Sequence, residues 1–96
     1  MIQIDDAGSG SLVGGTCIGI LRVETGEYKY GIVPVELYNP QSFKKKEYLE
    51  KVVHIVRDAF SILSPGRNEK IFVCRGYMFD SLRKWLTENS YNWESS

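Results

Sequence analysis

Two β-rich runs, residues 16–23 (TCIGILRV) and 28–35 (YKYGIVPV), are separated only by Glu24-Thr25-Gly26-Glu27. Four residues that include a glycine cannot hold a helix, and they have the length of a hairpin turn. The two runs are therefore predicted to pair antiparallel. Ile2 and Ile4 alternate with Gln3 and Asp5, which predicts a short strand ahead of the hairpin. Residues 7–15 between them read as a flexible loop. The chain thus opens with three consecutive strands in an antiparallel meander.

Pro34 has no amide hydrogen, so the third strand either lies at a sheet edge or ends there. Residues 36–42, with Asn39-Pro40, read as a connector, and Ser42 is the expected N-cap of a helix over residues 43–63. Its Leu49, Val52, Val53, Val56, Phe60 and Leu63 recur at the rhythm of one buried helical face. Ser64-Pro65-Gly66 stops that helix. Residues 70–74 (KIFVC) predict a buried central strand. Residues 78–88 predict a second helix with Phe79, Leu82, Trp85 and Leu86 inward, and Tyr91-Asn92-Trp93 begins a fifth strand. The expected class is α/β, with an α+β mixed sheet in the order β-β-β-α-β-α and a truncated last strand. An aromatic pair followed by three residues reads as an interrupted element, of a longer protein or of a chain completed by a partner.

Ninety-six residues fit one domain. Twelve basic and twelve acidic side chains cancel, so the chain has no bulk field for nucleic acid. A polyanion would need a local patch or metal ions. Cys17 and Cys74 are the two cysteines, each inside an apolar run, and are expected to be buried reduced thiols with no spacing suited to zinc. MIQIDD lacks the pattern of a signal peptide, and no apolar run approaches the ~20 residues needed to cross a bilayer. A cytoplasmic chain without a membrane partner is expected.

The stretch most suggestive of chemistry is residues 4–14, IDDAGSGSLVG. Adjacent carboxylates Asp5 and Asp6 close the first strand at the mouth of a glycine-rich loop, where they repel each other. The competing explanation is a charged strand end with ordinary turn chemistry. No lysine follows the glycines as in a phosphate-binding P-loop, and the next element is a strand, which disfavours a dinucleotide fingerprint. The single histidine, His54, falls on the outer side of the long helix and leaves no Ser-His-Asp arrangement.

The order of three strands, helix, strand, helix is that of the ribonuclease H-like fold. The stretch Asp5-Asp6-Ala7-Gly8-Ser9-Gly10-Ser11-Leu12-Val13-Gly14 resembles the first-strand signature of type 2 ribonuclease H. The match lies in Asp5, the acidic character of Asp6, Ala7, Gly8, Gly10, Leu12 and Gly14. The resemblance implies that Asp5 and Asp6 are catalytic and hold Mg²⁺ or Mn²⁺. It also implies that Gly8, Ser9 and Gly10 face phosphate, and that the partner is RNA or an RNA–DNA hybrid. Hard divalent ions prefer carboxylate oxygen, and phosphodiester hydrolysis uses them to activate water and neutralise the leaving oxygen. The chain departs from that family at Ser9, where an arginine is usual, and at Arg75, where the fourth strand is expected to end in an acid. Glu50, with Glu47 behind it, is the candidate third acid on the long helix. Lys45 and Lys46, in the run Phe43-Lys44-Lys45-Lys46, join Arg75 as candidate phosphate contacts. A solvated helix start paired with Glu47 and Glu50 is their alternative role. The alternative for the whole chain is a non-catalytic module of this fold that associates as a homodimer and covers an exposed sheet edge.

Overall fold

The computed structural model describes residues 1–7, 15–34 and 45–95. The connector at 36–42, the Ser42 cap and the loop at 8–14 lie outside the described residues. Strand β1 (Ile2–Ala7) is followed by β2 (Gly15–Arg22) and β3 (Tyr28–Pro34), then helix α1 (Lys45–Leu63), strand β4 (Lys70–Val73), helix α2 (Asp80–Glu88) and strand β5 (Asn92–Ser95). A single 3-10 turn, Tyr77–Phe79, leads into α2, so the second helix begins two residues later than its apolar spacing suggests. The strands form one mixed sheet in the order β3-β2-β1-β4-β5. The three-strand meander is antiparallel, whereas β4 pairs parallel with β1 and β5 parallel with β4. Each parallel strand is reached by a helical crossover, as parallel pairing requires. The fifth strand, read from the sequence as a stub, is a full ladder partner of β4, with Lys70 opposite Asn92 and Val73 opposite Ser95. The fold is a small α+β domain with a five-stranded mixed sheet and two helices.

One face of the sheet holds the core. Alternation sends Ile2 and Ile4 of β1, Ile18 and Ile20 of β2, Val33 of β3, and Ile71 and Val73 of β4 to the same side. There they pack against Val52, Val56, Phe60 and Leu63 of α1 and Leu82 and Leu86 of α2. The helix stripe is wider than its heptad-like spacing suggested: Ile55 and Ala59 are buried as well, and Val53 is half-buried. Gly31 explains how α1 settles onto β3. A Cβ at that position would lie 2.7 Å from the side chain of Ile55, so only glycine permits the approach. Gly26, at φ +75°, supplies the left-handed residue of the β2–β3 turn.

No described element covers the opposite face. It carries Gln3, Asp5, Cys17, Leu21, Tyr28, Tyr30, Ile32 and Phe72, none of them buried. Two expectations change for this reason. The fourth strand is central in the sheet but buried on one face only, with Phe72 half-buried. Cys17 and Cys74 are free thiols as expected, yet half-buried.

Polar clamps fix the rims. The Arg22 guanidinium donates to both oxygens of Glu69 (3.0 and 2.9 Å) and to the Leu63 carbonyl at the end of α1 (2.8 Å). The Met1 ammonium donates to Glu24 and, at 3.2 Å, to Glu69. Arg83 on α2 donates to the carbonyls of Cys74 and Gly76, both at 2.9 Å, and pairs with Asp80. At the margin of the core, Phe60, Trp85 and Tyr91 form an aromatic triad whose centroids lie 5.2–6.0 Å apart, and Arg67 lies 4.2 Å over the Tyr91 ring. Trp85, expected to face inward, and Tyr91, expected to begin the fifth strand, thus both seat β5 against the helices.

Candidate functional site

β1 and β4 run parallel, so their C-terminal ends lie side by side, with Ile4 opposite Val73. The ladder continues one step further, because the Cys74 N–H donates to the Ile4 carbonyl at 3.0 Å. Cys74 therefore sits next to Asp5. Carboxyl ends of such strands are where open sheets commonly place ligands, since helices cover the sides but not the ends. Strand alternation turns Asp5 and Cys74 to the open face. Asp6, opposite the buried Ile18, turns toward the helices.

The strand end nevertheless draws all three groups together. Ligand atoms of Asp5, Asp6 and Cys74 lie within 4.8 Å of one another. Asp5 is exposed, while Asp6 and Cys74 are half-buried. Asp5 Oδ1 accepts the Asp6 N–H at 2.7 Å. The Asp6 carboxyl is raised above the usual range, first by its hydrogen bond to the Asp5 carboxyl, then by burial, with the Asp5 charge adding to both. The Cys74 thiol is also raised: burial comes first, followed by its hydrogen bond to Asp5 and the charges of both aspartates, against the opposing Arg75 N–H. Both shifts combine burial with the negative charge concentrated at a strand end. A proton shared between the aspartates relieves it, and a cation relieves it more fully.

The donor chemistry fits a hard divalent cation. Asp5 and Asp6 offer carboxylate oxygens, and such ions keep several waters rather than demanding a full protein cage. Cys74, held as a thiol, fits as a hydrogen-bond donor to Asp5. Asp5 also borders two shallow grooves on the open face. One, of about 420 Å³, is lined by Met1, Gln3, Ile4, Asp5 and Phe72. The other, of about 210 Å³, runs past Gln3, Asp6, Gly19, Leu21 and Tyr28. An extended ligand on this face would pass directly over the carboxylates.

The remaining candidates separate from this cluster. Glu50 is exposed on α1 and does not belong to the group of converging ligand atoms. Arg75 is exposed one residue beyond Cys74, and no ion pair joins it to Asp5 or Asp6 among the described residues. The position beside Asp5 is thus a cysteine, and the arginine does not occupy the place of a metal. Lys45 and Lys46 open α1. Gly8, Ser9 and Gly10 lie outside the described residues. Arg83 is committed to the carbonyls of Cys74 and Gly76. Cys74 is the residue that sequence reasoning missed. Its signal is its place directly after the KIFV strand, legible only once that strand is paired with β1. His54 is exposed, as expected.

Among known proteins, no family model matches the chain and no curated sequence is significantly similar to it. None of the helices among the described residues is long and apolar enough to cross a membrane.

Proposed function

We propose that the chain is a ribonuclease H-like domain that acts on RNA or an RNA–DNA hybrid through a divalent cation, Mg²⁺ or Mn²⁺, held by Asp5 and Asp6. The observation that carries this reading is the convergence of Asp5, Asp6 and Cys74 at the parallel β1–β4 strand ends. The element order, three antiparallel strands followed by helix, strand and helix, supports it as well.

When bound, the cation supplies an activated water and charge neutralisation at the leaving oxygen. The chain's own residues perform the rest. Asp5 and Asp6 hold the ion at the rim of the open face. Cys74 stands beside Asp5, close enough to turn its S–H toward that carboxylate. The uncovered sheet beside Gln3 and Tyr28 gives the polymer a flat surface to lie across.

A second reading rests on one specific feature: only two carboxylates converge among the described residues, and the third group is a thiol. On that reading the fold binds a partner without cleaving it. Titration calorimetry with MgCl₂ and MnCl₂, on wild type and Asp5→Asn, addresses the site directly. Saturable heats lost in Asp5→Asn are expected, and equally negligible heats in both proteins would sink the metal site. Cleavage of a labelled RNA–DNA hybrid under saturating Mn²⁺ then separates nuclease from binding module.

A further inference from the structure

We propose that the chain forms a two-fold dimer through β3, whose outer edge and flanking helix α1 are complementary to a second copy of themselves. The proposal stands independently of the metal site. β3 is the outermost strand, with no neighbour on its far side among the described residues. The hairpin tells which of its backbone groups are free. The Arg22 N–H donates to the Glu27 carbonyl at 2.9 Å, which makes these two a hydrogen-bonded pair. Such pairs alternate along an antiparallel ladder. Lys29, Gly31 and Val33 therefore turn their N–H and C=O groups toward β2, and Tyr28, Tyr30 and Ile32 turn theirs outward. Pro34 falls in the outward set, where its missing N–H takes nothing from the β2 ladder.

A two-fold axis beside Gly31 pairs the outward groups in register. Tyr30 of each copy exchanges N–H···O=C bonds with Ile32 of the other, and the Tyr28 N–H reaches the Pro34 carbonyl. Gly31 meets Gly31 in the close, non-hydrogen-bonded type of pair, at about 4.5 Å between Cα atoms. On the open face this register sets Tyr30, 66% exposed, against Ile32, 43% exposed. An aromatic side chain opposite a β-branched one is a favourable cross-strand pair.

The helix selects the same axis. Ile55 packs directly onto Gly31, so the middle of α1 lies level with the middle of β3. Lys51 and Asp58 stand on either side of Ile55 and line the groove of about 270 Å³ between α1 and the β3 edge. Neither has an ion-pair partner among the described residues. Across the axis the second α1 runs antiparallel, so Lys51 faces Asp58 and Asp58 faces Lys51. Ile62, 62% exposed at the end of the same groove, extends the apolar seam. One axis thus satisfies the strand edge, the side-chain pairs and the helix charges together.

Sedimentation equilibrium from about 1 to 100 µM tests this, with far-UV circular dichroism to verify that each variant is folded. Wild type is expected at twice the 11.0 kDa chain mass. Asp58→Lys places lysines at both positions of the seam, and Lys51→Asp places aspartates at both. Each variant alone should dissociate at least tenfold more readily than wild type, and an equimolar mixture of the two should recover the dimer. Ile32→Lys, which puts a charge into the strand seam, should give a monomer that neither partner rescues. A wild type that stays at 11.0 kDa throughout this range would overturn the proposal. So would a dimer indifferent to all three substitutions, or one that the mixture fails to restore.

Discussion

Cys74 shows how one residue sets the character of the site. Its thiol stands where a third carboxylate would complete a cation cage, and it is held protonated by burial and by Asp5. Replacing it with aspartate adds a hard, charged donor to the two already present. Cys74→Asp is expected to tighten Mn²⁺ binding by roughly tenfold, since affinity for such ions follows the charge and number of oxygen ligands. Calorimetric titration checks this, and an unchanged affinity would place position 74 outside the coordination shell. Asp5 and Asp6 were legible as a pair because they adjoin in sequence and end an alternating strand. Cys74 was not, because it reaches them only through the parallel register of β1 with β4. Glu50 lies outside that group for the converse reason. Helical periodicity shows which face a residue occupies, but not where that face ends up relative to a strand end.

At the scale of the elements, the docking of α1 on the sheet depends on two devices. The first is the absence of a side chain at Gly31, directly beneath Ile55. Gly31→Ala should destabilise the domain by about 1–3 kcal/mol through overpacking, read as a lower urea midpoint with an unchanged slope. The second is the corner where Arg22 joins Glu69 and the end of α1. Hydrogen bonds from Arg22 hold the Glu69 carboxyl below its usual range, with the Met1 ammonium assisting, although partial burial works the other way. A carboxyl whose folded pKa is depressed stabilises the fold above its unfolded value, about 4.3, and that contribution is lost as pH falls through the folded value. Glu69→Gln should therefore lower the thermal midpoint at pH 7, and the difference from wild type should shrink as pH drops below about 4. A difference that does not vary with pH would show that Glu69 acts by packing and not by charge. The elements themselves were readable from the sequence to within a residue or two, since strand alternation, hairpin length and the helical stripe are local signals. The 3-10 turn at Tyr77–Phe79 was not, because it goes with the burial of Phe79 in the core, a tertiary event that spacing does not show.

For the whole molecule, the consequence of a real cation site is linkage between binding and folding. Mn²⁺ at a hundredfold excess over its dissociation constant should stabilise the wild type by about 2.7 kcal/mol, a rise of roughly 10 °C or more in thermal midpoint for a domain of this size. Asp5→Asn should show no such rise, and a wild type that also shows none would remove the cation from the account. The sequence by itself determined the β-β-β-α-β-α order, the hairpin, the buried stripes of both helices and the adjacency of two acids, all of which depend on residues close together in the chain. Tertiary structure alone decided the rest. It made the fifth strand a full partner of β4, put a cysteine beside Asp5, left one sheet face without a described cover, and brought Lys51 and Asp58 into one groove beside the β3 edge. Each of these depends on which segments become neighbours, and that choice is made by burying one sheet face under two helices, a global free energy that no local window of residues contains.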